Sequence, residues 1–174
     1  MALLTLRIAP DRLLHVKAKK IRVIDASIQR LADDLLETMH HENGVGLAAN
    51  QVGVLQRICV IQMPEDEEPR ILINPVVVEA QGQREVDEGC LSVPGYRGTI
   101  KRSEAIKVRA QDINGKIIRI KAQDLLAQAL EHEIDHLNGV LYLDHLESHD
   151  KLYKIEPEPQ EPPESQELVE AGVG

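Results

Sequence analysis

Residues 104–123, EAIKVRAQDINGKIIRIKAQ, contain two runs of alternating apolar and polar residues on either side of Asn114-Gly115. That dipeptide between alternating runs is a strong hairpin signal, so the runs are predicted to pair as antiparallel strands. Helical spacing starts at once afterwards. Asp124 is expected to cap a helix reaching about Asn138, which Gly139 ends. A hairpin followed directly by a helix points to an α+β fold, with short strands in mixed or antiparallel sheets packed around that central helix.

The rest of the chain supplies the partners. Residues 27–42 place Ile28, Leu31, Ala32, Leu35, Leu36 and Met39 at helical spacing, with Asp25 or Ser27 as the N-cap. Glycines at 44, 46 and 53 break this helix and permit tight backbone geometry. RICVIQM (57–63) reads as a buried strand, PEDEEP (64–69) as a solvated loop, and RILINPVVVEAQ (70–81) as a strand kinked at Asn74-Pro75. Length favours one domain with a core of its own. Aromatic residues make up only 2% of the 174, with no Phe or Trp, so Leu, Ile, Val and Ala must build the core and line any apolar pocket.

Charge is unevenly placed. The net charge is −9, and residues 156–174 carry six Glu and no Lys or Arg, which leaves −9 − (−6) = −3 for residues 1–155. An acidic chain without aromatic-basic clusters argues against intrinsic nucleic-acid binding, though a local patch could still dock on a ribonucleoprotein. Residues 1–150 are expected to form the catalytic domain, and 151–174 an acidic, Pro-rich tail without fixed structure. The N-terminus lacks a basic leader, and no stretch approaches the length of a membrane span. Cys59 and Cys90 are expected to be free thiols in a reducing, cytoplasmic setting.

The chemistry gathers in LEHEIDHLNG (130–139). His132 and His136 lie one helical turn apart and can reach one metal ion, with Glu133 beside the same opening. A carboxylate there can take a proton from water and return it to a leaving amine. A surface helix with two chance histidines is the bland alternative, and burial by Leu126, Ala129, Leu130 and Leu137 weighs against it. Two imidazoles need a third ligand. Asp144, His145, Glu147 and His149 lie downstream, and Cys90 lies upstream in EGCLSVPG (88–95), read as a loop ahead of the hairpin. Cys90 as thiolate would complete a Cys-His-His set with one open position. A lone Cys is more often an ordinary buried thiol, a description that suits Cys59.

Three blocks occur in order: GVGLAANQ (44–51), EGCLS (88–92) and HEIDH (132–136). Together they resemble the peptide deformylase family, whose pattern is G-x-G-L-A-A-x-Q, E-G-C-x-S and H-E-x-D-H. The resemblance covers roughly residues 1–146. It implies hydrolysis of the formyl group from the N-terminal formyl-methionine of newly made proteins, with Cys90, His132 and His136 as metal ligands and Glu133 as the proton shuttle. Gln51 and the backbone N–H of Leu91 would serve the oxyanion. By the same analogy Val45, Gly46, Gly89, Arg97, Leu125 and Ala129 meet the substrate, with Tyr96 near the rim. Gln128 departs from the apolar residue expected against a methionine side chain; turning outward, or bonding the thioether, would accommodate it.

The family's usual ion is Fe(II), with Zn(II), Ni(II) or Co(II) able to occupy a Cys-His-His site. Glu88 and Asp135 are candidates to orient the ligands. Formyl-methionyl nascent peptides are the implied partners, with transient ribosome association. Two rival readings are an HExxH zinc peptidase and a non-catalytic peptide-binding relative; Cys90, Gln51 and Glu133 together favour the deformylase.

Overall fold

The computed structural model describes residues 2–155. The acidic stretch expected to lack structure falls, from residue 156 onward, outside the described residues. Five strands form one antiparallel sheet in the order β1 (Gly46–Ala48), β2 (Ile58–Ile61), β3 (Arg70–Gln81), β6 (Ala105–Gln111), β7 (Ile117–Gln123). A second antiparallel sheet holds β4 (Arg84–Cys90), β5 (Val93–Arg102) and β8 (Leu152–Lys154). Two helices complete the scaffold: α1 (Ala26–His41) and α2 (Asp124–Leu137).

Strand β2 shows why the sheet needs a helix on each face. All four of its residues are buried. Cys59 and Ile61 pack with Leu130, Ile134 and Leu137 of α2, while Ile58 and Val60 pack with Ile28, Leu35 and Met39 of α1. Period-two alternation in the strand therefore meets a helical stripe on either side. Leu130 and Leu35 are fully buried, each contributing roughly 1.5–3 kcal/mol of transfer free energy. Helix α1 begins where Asp25 accepts from the backbone N–H of Ser27 (3.0 Å) and Ile28 (3.3 Å), as its sequence suggests.

The predicted hairpin is β6–β7, in register from Ala105↔Gln123 to Gln111↔Ile117. Asp112 Oδ1 accepts from the N–H of Asn114 and Lys116, and Gly115 takes φ +81°, which L side chains rarely adopt. The kink in β3 is real: Asn74 has φ +51° and the register with β6 shifts between Ile73 and Val76.

Three expectations need correction. Cys90 is not in a loop but ends β4, which forms a hairpin with β5 through Leu91 and Ser92. Few apolar residues mark β4, because its exposed positions are charged and only Val86, Glu88 and Cys90 turn inward. Asp124 does not cap α2 by its side chain; it is the first helical residue, at φ +51°, which Asp tolerates better than most. The ordered scaffold also runs past residue 150. Strand β8 pairs with β5 from Tyr96↔Lys154 to Gly98↔Leu152, and the Ile155 N–H donates to the Gly95 carbonyl at 2.9 Å.

Candidate metal centre and active site

Alternation along β4 sets Glu88 and Cys90 on the face turned toward α2, and α2 presents His132 and His136 one turn apart. The Cys90 Sγ lies 3.3 Å from His136 Nε2, which lies 3.1 Å from His132 Nε2. These ligand atoms lie within 4.8 Å of one another, a group that can hold a metal ion. Among the downstream candidates, Asp144 is committed to the Leu141 N–H at 2.8 Å and Glu147 pairs with Lys101 at 3.0 Å. Neither joins the cluster. Cys59 is fully buried in β2, where burial pushes its thiol well up.

Glu88 fixes the first imidazole. Its Oε2 lies 2.7 Å from His132 Nδ1, which turns Nε2 toward Cys90 and His136. Glu88 is itself clamped by Arg102, which donates from Nη2 to Oε2 (2.7 Å) and from Nε to Oε1 (3.1 Å). Arg102 Nη1 then reaches Asp135 Oδ2 at 2.6 Å, and that oxygen also meets His145. Burial works against the Glu88 charge, but His132 and Arg102 outweigh it and hold the carboxyl down at about 2. Arg102 is only 3% exposed, and sequence reasoning missed it. Its signal was there: with Ile100 inward on β5, position 102 must also face in.

Glu133 behaves oppositely. Burial and the nearby Glu88 charge push it up to about 7, although His132 and Arg102 pull it down. Its Oε2 is buried with no hydrogen-bond partner, and its Oε1 faces His132 Nε2 at 3.9 Å. A carboxyl tuned near neutrality can both accept and release a proton. The two imidazoles are shifted in opposite directions. Burial opposes the charge on each, and bonds to Cys90 and Glu88 raise His132 while burial and His132 itself lower His136.

Gly46 explains how Glu133 fits: a Cβ there would sit 2.7 Å from Glu133 Oε1. Likewise a Cβ on Gly44 would meet Leu91 Cδ1 at 2.8 Å. The glycines thus make room for site side chains. Gln51, 1% exposed, accepts from the Ala48 N–H through Oε1 (3.0 Å), which aims its Nε2 at Ser92 Oγ (3.1 Å) and Cys90 Sγ (3.6 Å).

A cavity of about 390 Å³ opens over these groups. Val45, Gly46, Gly89, Arg97, Leu125 and Ala129 line it, together with Gln51, Leu91, His132 and Glu133. Val45 and Leu125 expose apolar side chains to it. His136 lies behind, fully buried. Gln128 neither turns outward nor faces a thioether with a free donor. Its Nε2 is held by the Asp87 carbonyl (3.2 Å) and Glu88 Oε1 (3.3 Å). At the rim Arg97 Nε and Tyr153 Oη both donate to Asp87 Oδ2, at 2.9 and 2.6 Å. Ile155 closes the same wall. Sequence reasoning gave β8 no part here, since nothing short of the fold brings residue 155 beside residue 95.

The donor set fits a metal ion: one soft thiolate and two imidazoles whose free nitrogens converge, with an unpartnered carboxylate oxygen beside them. An α+β scaffold that presents such a set beside an open cleft defines a mononuclear metallohydrolase. The chain matches the model of the polypeptide deformylase family over residues 3–152, and it belongs to that family. It is 50% identical over 158 residues to the peptide deformylase of Dehalococcoides mccartyi (strain CBDB1), covering 91% of this chain and 95% of the relative. The Thermomicrobium roseum peptide deformylase is 42% identical over 181 residues, covering 100% and 99%. Among solved structures, the Legionella pneumophila peptide deformylase superposes with a TM-score of 0.83 at 42% identity, covering 86% of this chain and 89% of that one. A Synechococcus elongatus peptide deformylase in complex with actinonin gives 0.81 at 38%, covering 85% and 81%.

Proposed function

We propose that this enzyme removes the formyl group from the N-terminal formyl-methionine of newly synthesised proteins, releasing formate and a free α-amino group. The observation that carries the reading is the convergence of Cys90, His132 and His136 beside the unpartnered Glu133 Oε2. Cys90, His132 and His136 would hold one divalent ion. When bound, that ion supplies Lewis acidity, which makes water nucleophilic near neutral pH and polarises a carbonyl. We assign Fe(II) as the physiological ion, with Zn(II), Ni(II) or Co(II) as substitutes; the soft donor set is compatible with each.

The chain's own groups do the rest. Glu133 accepts the proton of the attacking water at Oε2 and passes it to the departing nitrogen, a task suited to a carboxyl raised to about 7. The Gln51 side-chain amide and the Leu91 N–H donate to the oxygen that becomes negative as the carbonyl is attacked. Ala48 and Ser92 hold that amide in place, so it need not reorganise during the step. Val45, Leu125 and Ala129 offer aliphatic surface to the methionine side chain, while Gly46, Gly89 and Arg97 border the peptide beyond it. Residues up to Ile155 form the catalytic unit, and its setting is the cytoplasm, with transient association with ribosomes.

The test is turnover by anaerobically prepared, iron-loaded protein of a formyl-Met peptide against the same peptide with a free amine. Formate release from the first and no cleavage of the second is expected. Cleavage of the free-amine peptide would instead support an HExxH zinc peptidase, and no reaction with any metal a non-catalytic relative.

A further inference from the structure

The candidate ligands come from two separate elements. Cys90 ends β4, whereas His132 and His136 belong to α2, so the set keeps its shape only while strand and helix hold their relative position. Side-chain links hold α2 against the second sheet. His132 meets Glu88 of β4, Asp135 meets Arg102 of β5, and Gln128 reaches β4 twice.

The reach of Gln128 is set by its partners. The Asp87 carbonyl and the Glu88 carboxylate both accept only, so the NH2 end of the amide must face them. The same Asp87 carbonyl accepts from Arg97 Nη2 at 3.2 Å, and the same Glu88 Oε1 accepts from Arg102 Nε at 3.1 Å. One amide thus ties the helix wall to the strand that carries Cys90 and to the carboxylate that orients His132. An apolar residue at 128 would line the slot equally well but could hold neither Asp87 nor Glu88.

These two bonds are long. At 3.2 and 3.3 Å they lie at or beyond the upper end of the usual N–H···O range. Gln128 is half-buried in the cavity wall, so water competes for its amide. Leu125, one turn earlier on α2, and Ala129 beside it line the same cavity. A substrate side chain that fills the slot between them covers Gln128 and shuts water out, which strengthens the hydrogen bonds beneath it. A methyl group in the same place leaves the amide wet.

We infer that Gln128 is a positioning residue, which couples the filling of the methionine slot to the alignment of Cys90 on β4 with His132 on α2. The inference deepens the deformylase reading and rests on it. Binding free energy from the first side chain is used to align the reacting groups, and such energy appears in kcat rather than only in KM. Gln128 therefore acts on rate more than on affinity. A polar side chain among the aliphatic residues of the slot has its explanation in that coupling.

The test compares formyl-Met and formyl-Ala peptides, otherwise identical, on the iron-loaded full chain and on Gln128→Met, which keeps the side chain's length but has no N–H to donate. On the native chain, shortening the first side chain should lower kcat at least about tenfold as well as raise KM. In Gln128→Met, kcat on formyl-Met should fall about tenfold with KM within about threefold of native. The kcat ratio between the two peptides should shrink to within about threefold of one. Gln128→Arg, which brings N–H donors back to this position, should recover most of the rate and of the sensitivity to the first side chain. Zinc-loaded Gln128→Met should release its ion to a chelator about tenfold faster than the native chain, a readout that needs no turnover. A kcat loss equal on both peptides would mean a structural role only and overturn the inference, as would unchanged kcat or zinc release no faster than native. No turnover of formyl-Met by the native chain would defeat the deformylase reading and this inference with it, whereas native turnover with an insensitive Gln128→Met defeats the inference alone.

Discussion

Glu88 and His132 are joined at 2.7 Å, Oε2 to Nδ1, and the carboxylate that orients this imidazole is itself gripped by a guanidinium only 3% exposed. Arg102 thus supports the candidate metal site from behind. Arg102→Ala leaves Glu88 as a buried charge with one cationic support removed, a change that typically costs about 3–5 kcal/mol. Urea denaturation should report that loss. Arg102→Lys should recover part of the stability but not the two-pronged contact, and metal affinity should fall about 10–100-fold as His132 loses its fixed orientation. Unchanged affinity in both variants would show that His132 is positioned without this chain of contacts.

Gly46 and Glu133 give a second prediction. A methyl group on Gly46 would press on the Glu133 carboxylate at 2.7 Å, and Glu133 is buried too deeply to swing away freely. Gly46→Ala should keep metal content and lower formyl-peptide turnover by at least about tenfold, the scale on which misplacing a catalytic group by an ångström acts. Steady-state kinetics beside metal analysis would show it; turnover equal to the native chain would mean that the strand gives way instead.

The two cysteines should behave differently. Cys90→Ser should cut metal occupancy, since an alcohol does not readily ionise to serve as a ligand at neutral pH. Cys59→Ser should leave occupancy intact, because that thiol packs in β2 with its proton held by burial. Full occupancy in the Cys90 variant would require another ligand, although Asp144 and Glu147 are both engaged elsewhere.

The C-terminal boundary can be located by truncation. Removing residues 157–174 should leave melting temperature and turnover unchanged. Cutting instead after Lys151 removes β8, strips the edge of β5, and deletes the Tyr153 hydrogen bond to Asp87 together with the Ile155 wall of the cavity. Loss of about 1–2 kcal/mol would lower the melting temperature by roughly 2–8 °C. A fall of that size on removing only residues 157–174 would place fold-bearing contacts beyond residue 156.

What the sequence made legible were the elements with strong local codes. The β6–β7 hairpin announced itself by alternation and Asn-Gly, α1 by its stripe and Asp25, and the HExxH spacing by helical geometry. Strand β4 was hidden because its outward residues Glu85 and Asp87 are charged, Arg84 opens it with another charge, and only the pairing with β5 defines it. For the same reason Cys90 looked like a loop residue. The contacts of Arg102 and Ile155 were illegible for a different cause, although alternation from Ile100 marked position 102 as inward. Each acts through a partner far away in the chain, Glu88 and Gly95 respectively, so no window of sequence contains the contact. Gly44 and Gly46 were read as helix breakers that permit tight backbone geometry, with Gly46 also expected against substrate; in the fold they first make room for Leu91 and Glu133.

The most direct test of the central claim is the turnover of Glu133→Gln, prepared anaerobically with iron and assayed on a formyl-Met peptide with metal content measured in the same sample. The amide keeps the shape of the carboxyl but cannot take a proton. Full metal content with turnover lowered on the order of 10²–10⁴-fold is the predicted result. Full metal content with a loss below about tenfold would contradict the assignment of Glu133 as the proton shuttle and, with it, the mechanism proposed for this site.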